Sequence, residues 1–137
     1  MMSLENLVSQ LQGTLTPHEE IQLAYLYGSV ARGEWTSRSD IDIGVYIDEG
    51  ALLDRWYPVH LIEELAQAVP ADLPYDVHVL NGAPPKFLAQ VIFRTPKLVV
   101  RDEDFRVEFE TSALLQWYDE RPTFEQYRRE LAEVLKQ

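Results

Sequence analysis

Gly28-Ser29-Val30-Ala31-Arg32-Gly33-Glu34-Trp35-Thr36-Ser37-Arg38-Ser39-Asp40-Ile41-Asp42 is the stretch that decides the fold, because it joins two apolar runs by a short polar excursion. Before it, Ile21-Gln22-Leu23-Ala24-Tyr25-Leu26-Tyr27 is rich in β-branched, aromatic and aliphatic residues and reads as a mostly buried strand stopping at Gly28. Ser29 is then placed to cap a short helix through Val30, Ala31 and Arg32, with Gly33 ending it. Glu34 to Ser39 is a polar loop holding one large aromatic, Trp35. Asp40 and Asp42 open the second run, Ile41-Asp42-Ile43-Gly44-Val45-Tyr46-Ile47, whose apolar character implies a strand in the middle of a sheet.

The chemistry follows from the spacing. Alternate residues of a strand share a face, so Asp40 and Asp42 present two carboxylates side by side. Like charges so close are unfavourable unless something neutralises them. Mg²⁺ takes oxygen ligands and is commonly held by one or two carboxylates together with substrate phosphates. On the other side of the stretch, Gly28 lets a backbone approach a phosphate closely, and a helix starting at Ser29 would aim N–H groups at the anion. Ser29 adds a hydroxyl and Arg32 a guanidinium one turn on. A second metal position needs a third carboxylate to hold the attacking hydroxyl. Asp76 is the best candidate: in Tyr75-Asp76-Val77-His78-Val79-Leu80 it alternates with His78 and Leu80 against Tyr75, Val77 and Val79. Each feature has an ordinary reading beside this one. Gly-Ser is a common turn, an Asp-x-Asp pair is often a solvated strand edge, and Arg32 and Asp76 could be surface charges. His78 reads more readily as a hydrogen-bonded structural histidine, and Trp35 either stacks on a base or packs beneath its loop.

The rest of the chain frames these strands. Leu4, Leu7, Val8 and Leu11 recur at helical spacing, and Gly13 is expected to end that helix. After a turn at Asp48-Glu49-Gly50, residues from about Ala51 to Ala68 read as a helix broken near Pro58. Asn81-Gly82-Ala83-Pro84-Pro85 leads into another helix, with a Phe87, Leu88, Val91, Ile92 stripe, that Thr95-Pro96 ends. Lys97 to Arg101 is a short edge strand. From Asp102 the pattern is helical, with Phe105, Phe109, Ala113, Leu114, Trp117 and Tyr118 on one face. Arg121-Pro122-Thr123 interrupts it before a last helix carrying Phe124, Tyr127, Leu131, Val134 and Leu135. The aromatic residues at 117, 118, 124 and 127 fit either core or an interface patch. The expectation is one α/β domain over residues 1–137: a small mixed β-sheet flanked by helices, with a helical C-terminal end.

Bulk properties narrow the function. With 137 residues there is room for one real core and little for a second. A net charge of −11 repels phosphate backbones, which argues against direct nucleic-acid binding and suits a basic partner or divalent cations. The absence of cysteine excludes disulfides, Cys-ligated zinc and a thiol nucleophile. The first ten residues lack the features of a secretory signal, and no apolar run approaches the ~20 residues that cross a bilayer. A cytoplasmic protein without membrane association is the simplest expectation.

Gly28-Ser29-Val30-Ala31-Arg32-Gly33 followed by Ser39-Asp40-Ile41-Asp42 resembles the GSxARG…SDxD signature of the polymerase β-like nucleotidyltransferase superfamily. The small size and near-complete motif are similar to the minimal nucleotidyltransferase (MNT, MntA-type) antitoxins, which pair with HEPN-domain (HepT) toxins. That resemblance implies the polymerase β-like fold and Mg²⁺-dependent transfer of AMP from ATP to a tyrosine of a HEPN ribonuclease, silencing it. By position it implies that Gly28, Ser29, Arg32 and Ser39 bind the nucleotide, and that Asp40, Asp42 and Asp76 ligate metal and carry catalysis. Three other functions stay open: modification of a small hydroxylated molecule, neutralisation of a toxin by masking alone, and ATP sensing without turnover.

Overall fold

The computed structural model describes residues 1–119 and 124–136, without the side chains of 124–127. Four strands form one mixed sheet: β1 (Ile21–Tyr27), β2 (Ile41–Ile47), β3 (Tyr75–Val79) and β4 (Lys97–Val100), in the order β3-β2-β1-β4. β1 runs antiparallel to β2 and to β4, while β2 and β3 are parallel. The expected central place of β2 and edge place of β4 are both found. Around the sheet lie α1 (Leu4–Leu15), α2 (Gly28–Ala31), α3 (Glu49–Leu52), α4 (Tyr57–Ala68), α5 (Pro85–Ile92), α6 (Glu103–Asp119) and α7 (Phe124–Lys136).

β2 shows why the register is fixed. Ile41, Ile43, Val45 and Ile47 face the main core with Leu7, Leu11 and Leu15 of α1 and Leu61 and Leu65 of α4. Burying each such side chain is worth about 1.5–3 kcal/mol. The alternate residues, Asp42, Gly44 and Tyr46, face the other side, where Tyr46 meets Phe105 and Phe109 of α6 edge-on. A one-residue slip would exchange the two sets and drive the Asp42 carboxylate into the aliphatic core. Gly44 leaves room for α5: a Cβ there would lie 3.0 Å from both Leu80 Cδ2 and Val91 Cγ1. A register shift between Ile21 and Leu23 puts an extra residue into β1. Ile21, Ala24 and Leu26 therefore belong to the main core, while Leu23, Tyr25 and Tyr27 pack on the α5–α6 side.

Several boundaries differ from the sequence expectation. Gly13 lies inside α1, because burial of Leu15 outweighs the roughly 1 kcal/mol that a helical glycine costs. The helix stops at Thr16, the residue before Pro17. Glu49 and Gly50 belong to α3, with Asp48 as its N-cap, rather than to a simple turn. The break before α4 falls at 53–56, ahead of Pro58, which occupies the first turn of α4 where its missing N–H costs nothing. α5 ends at Ile92, before Thr95-Pro96, and Arg94 takes a positive φ of 53° in the turn to β4. On α6 the buried stripe is narrower than expected: Ala113 and Trp117 are buried, whereas Leu114 and Tyr118 are exposed. Trp117 packs with Ala89 and Val134, which docks α7 onto α5. The expected interruption at Arg121-Pro122-Thr123 and the side chains of Phe124 and Tyr127 lie outside the described residues. Among the described residues no helix is long and apolar enough to cross a membrane.

Candidate active site

Asp40, Asp42 and Asp76 converge. Each offers one carboxylate oxygen such that all three lie within 4.8 Å of one another. Two strands achieve this through their pairing, since Asp42 and Asp76 are direct partners across the parallel β2–β3 ladder. Asp40 sits one residue before β2 and is exposed; the other two are partly buried. None of the three carboxylates accepts a hydrogen bond within the described residues. Burial first, and then the charges of Asp76 and Asp40, raise the Asp42 carboxyl to about 6, against a smaller downward pull from His78 and Arg32. Carboxylates gathered in a partly buried place raise one another's pKa in this way. Hard oxygen donors in such a group fit a divalent cation.

Gly28 stands against this cluster for a reason the sequence did not disclose. Its φ is +79°, and a Cβ there would lie 2.3 Å from Asp42 Oδ2 and 3.3 Å from its Cγ. The glycine thus makes room for the aspartate as well as a left-handed turn. The helix after it also differs from expectation. α2 begins at Gly28 with Tyr27 at the N-cap and no side-chain cap, so Ser29 lies inside the helix. Its hydroxyl is used elsewhere, donating to Ser39 Oγ at 3.0 Å. Ser39 Oγ also accepts from the Thr36 N–H at 2.9 Å, and the Glu34 N–H donates to the Ser29 carbonyl at 2.9 Å. These bonds tie the polar loop back onto α2. Arg32 donates from Nε to Glu34 at 3.1 Å, while its buried Nη1 has no partner. Trp35 packs, partly buried, against the main core.

A second group flanks the carboxylates. The Tyr27 hydroxyl lies 2.6 Å from His78 Nδ1, and His78 Nε2 lies 3.6 Å from Asp76 Oδ2. Phe87 meets both rings, Tyr27 edge-on at 86°. Burial, with Asp42 and Asp76 adding to it, drives the Tyr27 phenol far above its ordinary range. Tyr27 and Phe87 were not among the residues the sequence singled out. The alternation of β1 was the available signal for Tyr27, since it faces the same side as Leu23 and Tyr25; Phe87 carried only the signal of a helix stripe.

A mixed sheet with carboxylates converging from two adjacent strands, beside a Gly-Ser turn, is the framework of nucleotidyl-transfer enzymes. Residues 9–104 match the family described as Polymerase beta, Nucleotidyltransferase, and the chain belongs to that family. All three aspartates fall within the matched segment. Among solved structures, the chain is similar to a toxin–antitoxin with AMP-PNP, at TM-score 0.63 and 23% identity over 99% of this chain and 100% of that one. It is also similar to a tri-AMPylated Shewanella oneidensis HEPN toxin in complex with MNT antitoxin (TM-score 0.63, 22% identity, 98% and 99% covered). A third similar structure is the toxin–antitoxin MntA–HepT (TM-score 0.62, 21% identity, 97% and 99% covered). No curated protein sequence matches the chain. The nucleotidyltransferase fold is therefore established.

Proposed function

We propose that the chain is a Mg²⁺-dependent nucleotidyltransferase that moves AMP from ATP to a tyrosine of a cognate HEPN-domain toxin and thereby acts as its antitoxin. The observation that carries this reading is the convergence of three carboxylates within 4.8 Å. The complexes named above, one with AMP-PNP and one with an AMPylated HEPN toxin, support ATP as the nucleotide and a HEPN protein as the partner class. A charge of −11 is compatible with a basic partner protein.

In this reading Asp40, Asp42 and Asp76 hold Mg²⁺, and Gly28, Ser29, Arg32 and Ser39 face the triphosphate. Bound Mg²⁺ would neutralise phosphate charge and lower the pKa of the attacking hydroxyl. Ser39 accepts bonds from Ser29 and Thr36, so its own proton is the one offered to a phosphate oxygen. Arg32 Nη1, buried and unpartnered, supplies a charged donor. The acceptor tyrosine's oxygen bonds to the α-phosphorus as the bond to pyrophosphate breaks, and the phenolic proton is lost. Positioning and charge compensation account for most of the rate.

The test is incubation with a cognate HEPN-domain toxin and ATP labelled at the α-phosphate. AMP label should appear on a partner tyrosine, RNase activity should fall, and Asp42→Asn should abolish both. Label transferred equally by Asp42→Asn would overturn the assignment. Neutralisation by Asp42→Asn without label would move the function to masking, and label on a small alcohol alone would move it to small-molecule modification.

A further inference from the structure

The Tyr27–His78–Phe87 group is not used by the reading above, yet it adjoins one of the three carboxylates of the site. Asp76 has a side chain about two-fifths exposed, and its carboxylate accepts no hydrogen bond among the described residues. His78 lies two residues along β3 on the same face. Its ring is held from two sides. Phe87 packs against it at 5.5 Å between centroids, and Tyr27 reaches Nδ1 at 2.6 Å. The hydroxyl and Nδ1 share this hydrogen bond, and its direction follows the ring tautomer. A phenol donating to Nδ1 leaves the proton of a neutral imidazole on Nε2. Nε2 faces Asp76 Oδ2 at 3.6 Å, a contact of opposite polarity just beyond hydrogen-bond length.

We propose that His78 is a positioning residue for Asp76: Tyr27 donates to its Nδ1, Phe87 sets its plane, and its Nε2–H restrains the carboxylate that pairs with Asp42. The proposal rests on the three-carboxylate reading of the site. Partners of this kind orient metal-ligating carboxylates, and their removal typically lowers metal affinity or activity 10–100-fold.

Substitutions at His78 separate positioning from packing, because Gln places an N–H near the imidazole Nε2 position and Asn near Nδ1. Mn²⁺ binding to the full chain, without nucleotide, is the first readout. We expect about tenfold weaker binding in His78→Ala and His78→Asn, and recovery to within about threefold in His78→Gln. The second readout is ¹⁵N–¹H correlation of the imidazole, which should show the Nε2–H tautomer in wild type and a mixture in Tyr27→Phe. Unchanged Mn²⁺ affinity in His78→Ala, equal behaviour of the Gln and Asn variants, or an Nδ1–H tautomer in wild type would each overturn the proposal alone. Wild-type protein that binds no Mn²⁺ would overturn the carboxylate reading and the proposal with it.

Discussion

Replacing Asp42 with Asn is expected to stabilise the metal-free protein at neutral pH while abolishing AMP transfer. Burial, followed by the charges of Asp76 and Asp40, moves the Asp42 carboxyl from 3.8 to about 6. A carboxyl so displaced is about 3 kcal/mol harder to ionise in the fold than in the unfolded chain. The side chain is only partly buried, and solvent screening reduces the expected effect to about 1–2 kcal/mol. The sign follows from where the protons sit. Below 3.8 the group is protonated in both states and its stabilisation is fully present. As pH rises through about 6 the folded protein must ionise it, and that stability is lost. The advantage of Asp42→Asn should therefore be small near pH 4, grow through pH 6 and level off above it. Urea unfolding of both proteins in a chelator, across that range, measures it. Mg²⁺ at about ten times its Kd should then stabilise wild type by about 1.4 kcal/mol and leave the variant unmoved. An Asp42→Asn protein less stable than wild type at neutral pH without metal, or an advantage independent of pH, would refute the reasoning.

Three further outcomes are expected. Gly28→Ala should cost about 1–2 kcal/mol from its left-handed backbone alone, and more while Asp42 Oδ2 occupies the position 2.3 Å from the new Cβ. A double-mutant cycle with Asp42→Ala reads that excess, and equal costs in both backgrounds would show that the Asp42 side chain moves aside freely. His18 bonds Glu20 at 2.8 Å and also Glu64; burial opposes its charge, but these bonds outweigh burial and raise its pKa. Its stabilisation should be full below about 6.5 and fade as pH rises through the higher folded value, so His18→Ala should cost about 0.5–1 kcal/mol near pH 6 and less near pH 9 in urea unfolding. Gly44→Val should overpack the 3.0 Å contacts with Leu80 and Val91 and destabilise by about 1–3 kcal/mol in thermal unfolding, an unchanged midpoint showing that α5 yields instead.

The two central strands were legible because their apolar runs are bounded by residues with few alternatives, Gly28 on one side and Asp40 on the other. β1 and β2 begin and end where the pattern puts them. Less legible was whatever depends on contacts distant in sequence. Gly13 reads as a helix end until Leu15 is known to be buried against the sheet. Ser29 reads as a cap until Ser39 is found 3.0 Å from its hydroxyl. The nearness of Asp76 to Asp42 could be guessed from residue type, but it is set by a parallel ladder formed after an excursion through α3 and α4, and no local spacing encodes that alignment. Tyr27 was missed for a related reason: its role appears only once β3 brings His78 to its hydroxyl.

One row of the sheet ties these features together. Tyr27 pairs with Asp42 across β1 and β2, and Asp42 pairs with Asp76 across β2 and β3, so the three residues stand abreast on one face. Gly28 follows directly after Tyr27, and the space its missing Cβ leaves is taken by Asp42 Oδ2. A glycine read from sequence as clearance for a phosphate thus gives clearance first to a carboxylate. The two requirements are coupled, because a side chain at 28 would push the Asp42 carboxylate out of the row before any nucleotide arrived. A register slip in either ladder would have the same result. It would separate Asp42 from Asp76 or turn one of them into the aliphatic core. The site is therefore as stable as the pairing of β2 with its two neighbours, and that pairing rests on the buried alternate residues Ile41, Ile43 and Val45. Thinning that row, as Ile43→Ala would, should loosen the carboxylate geometry without touching a single group that faces the nucleotide.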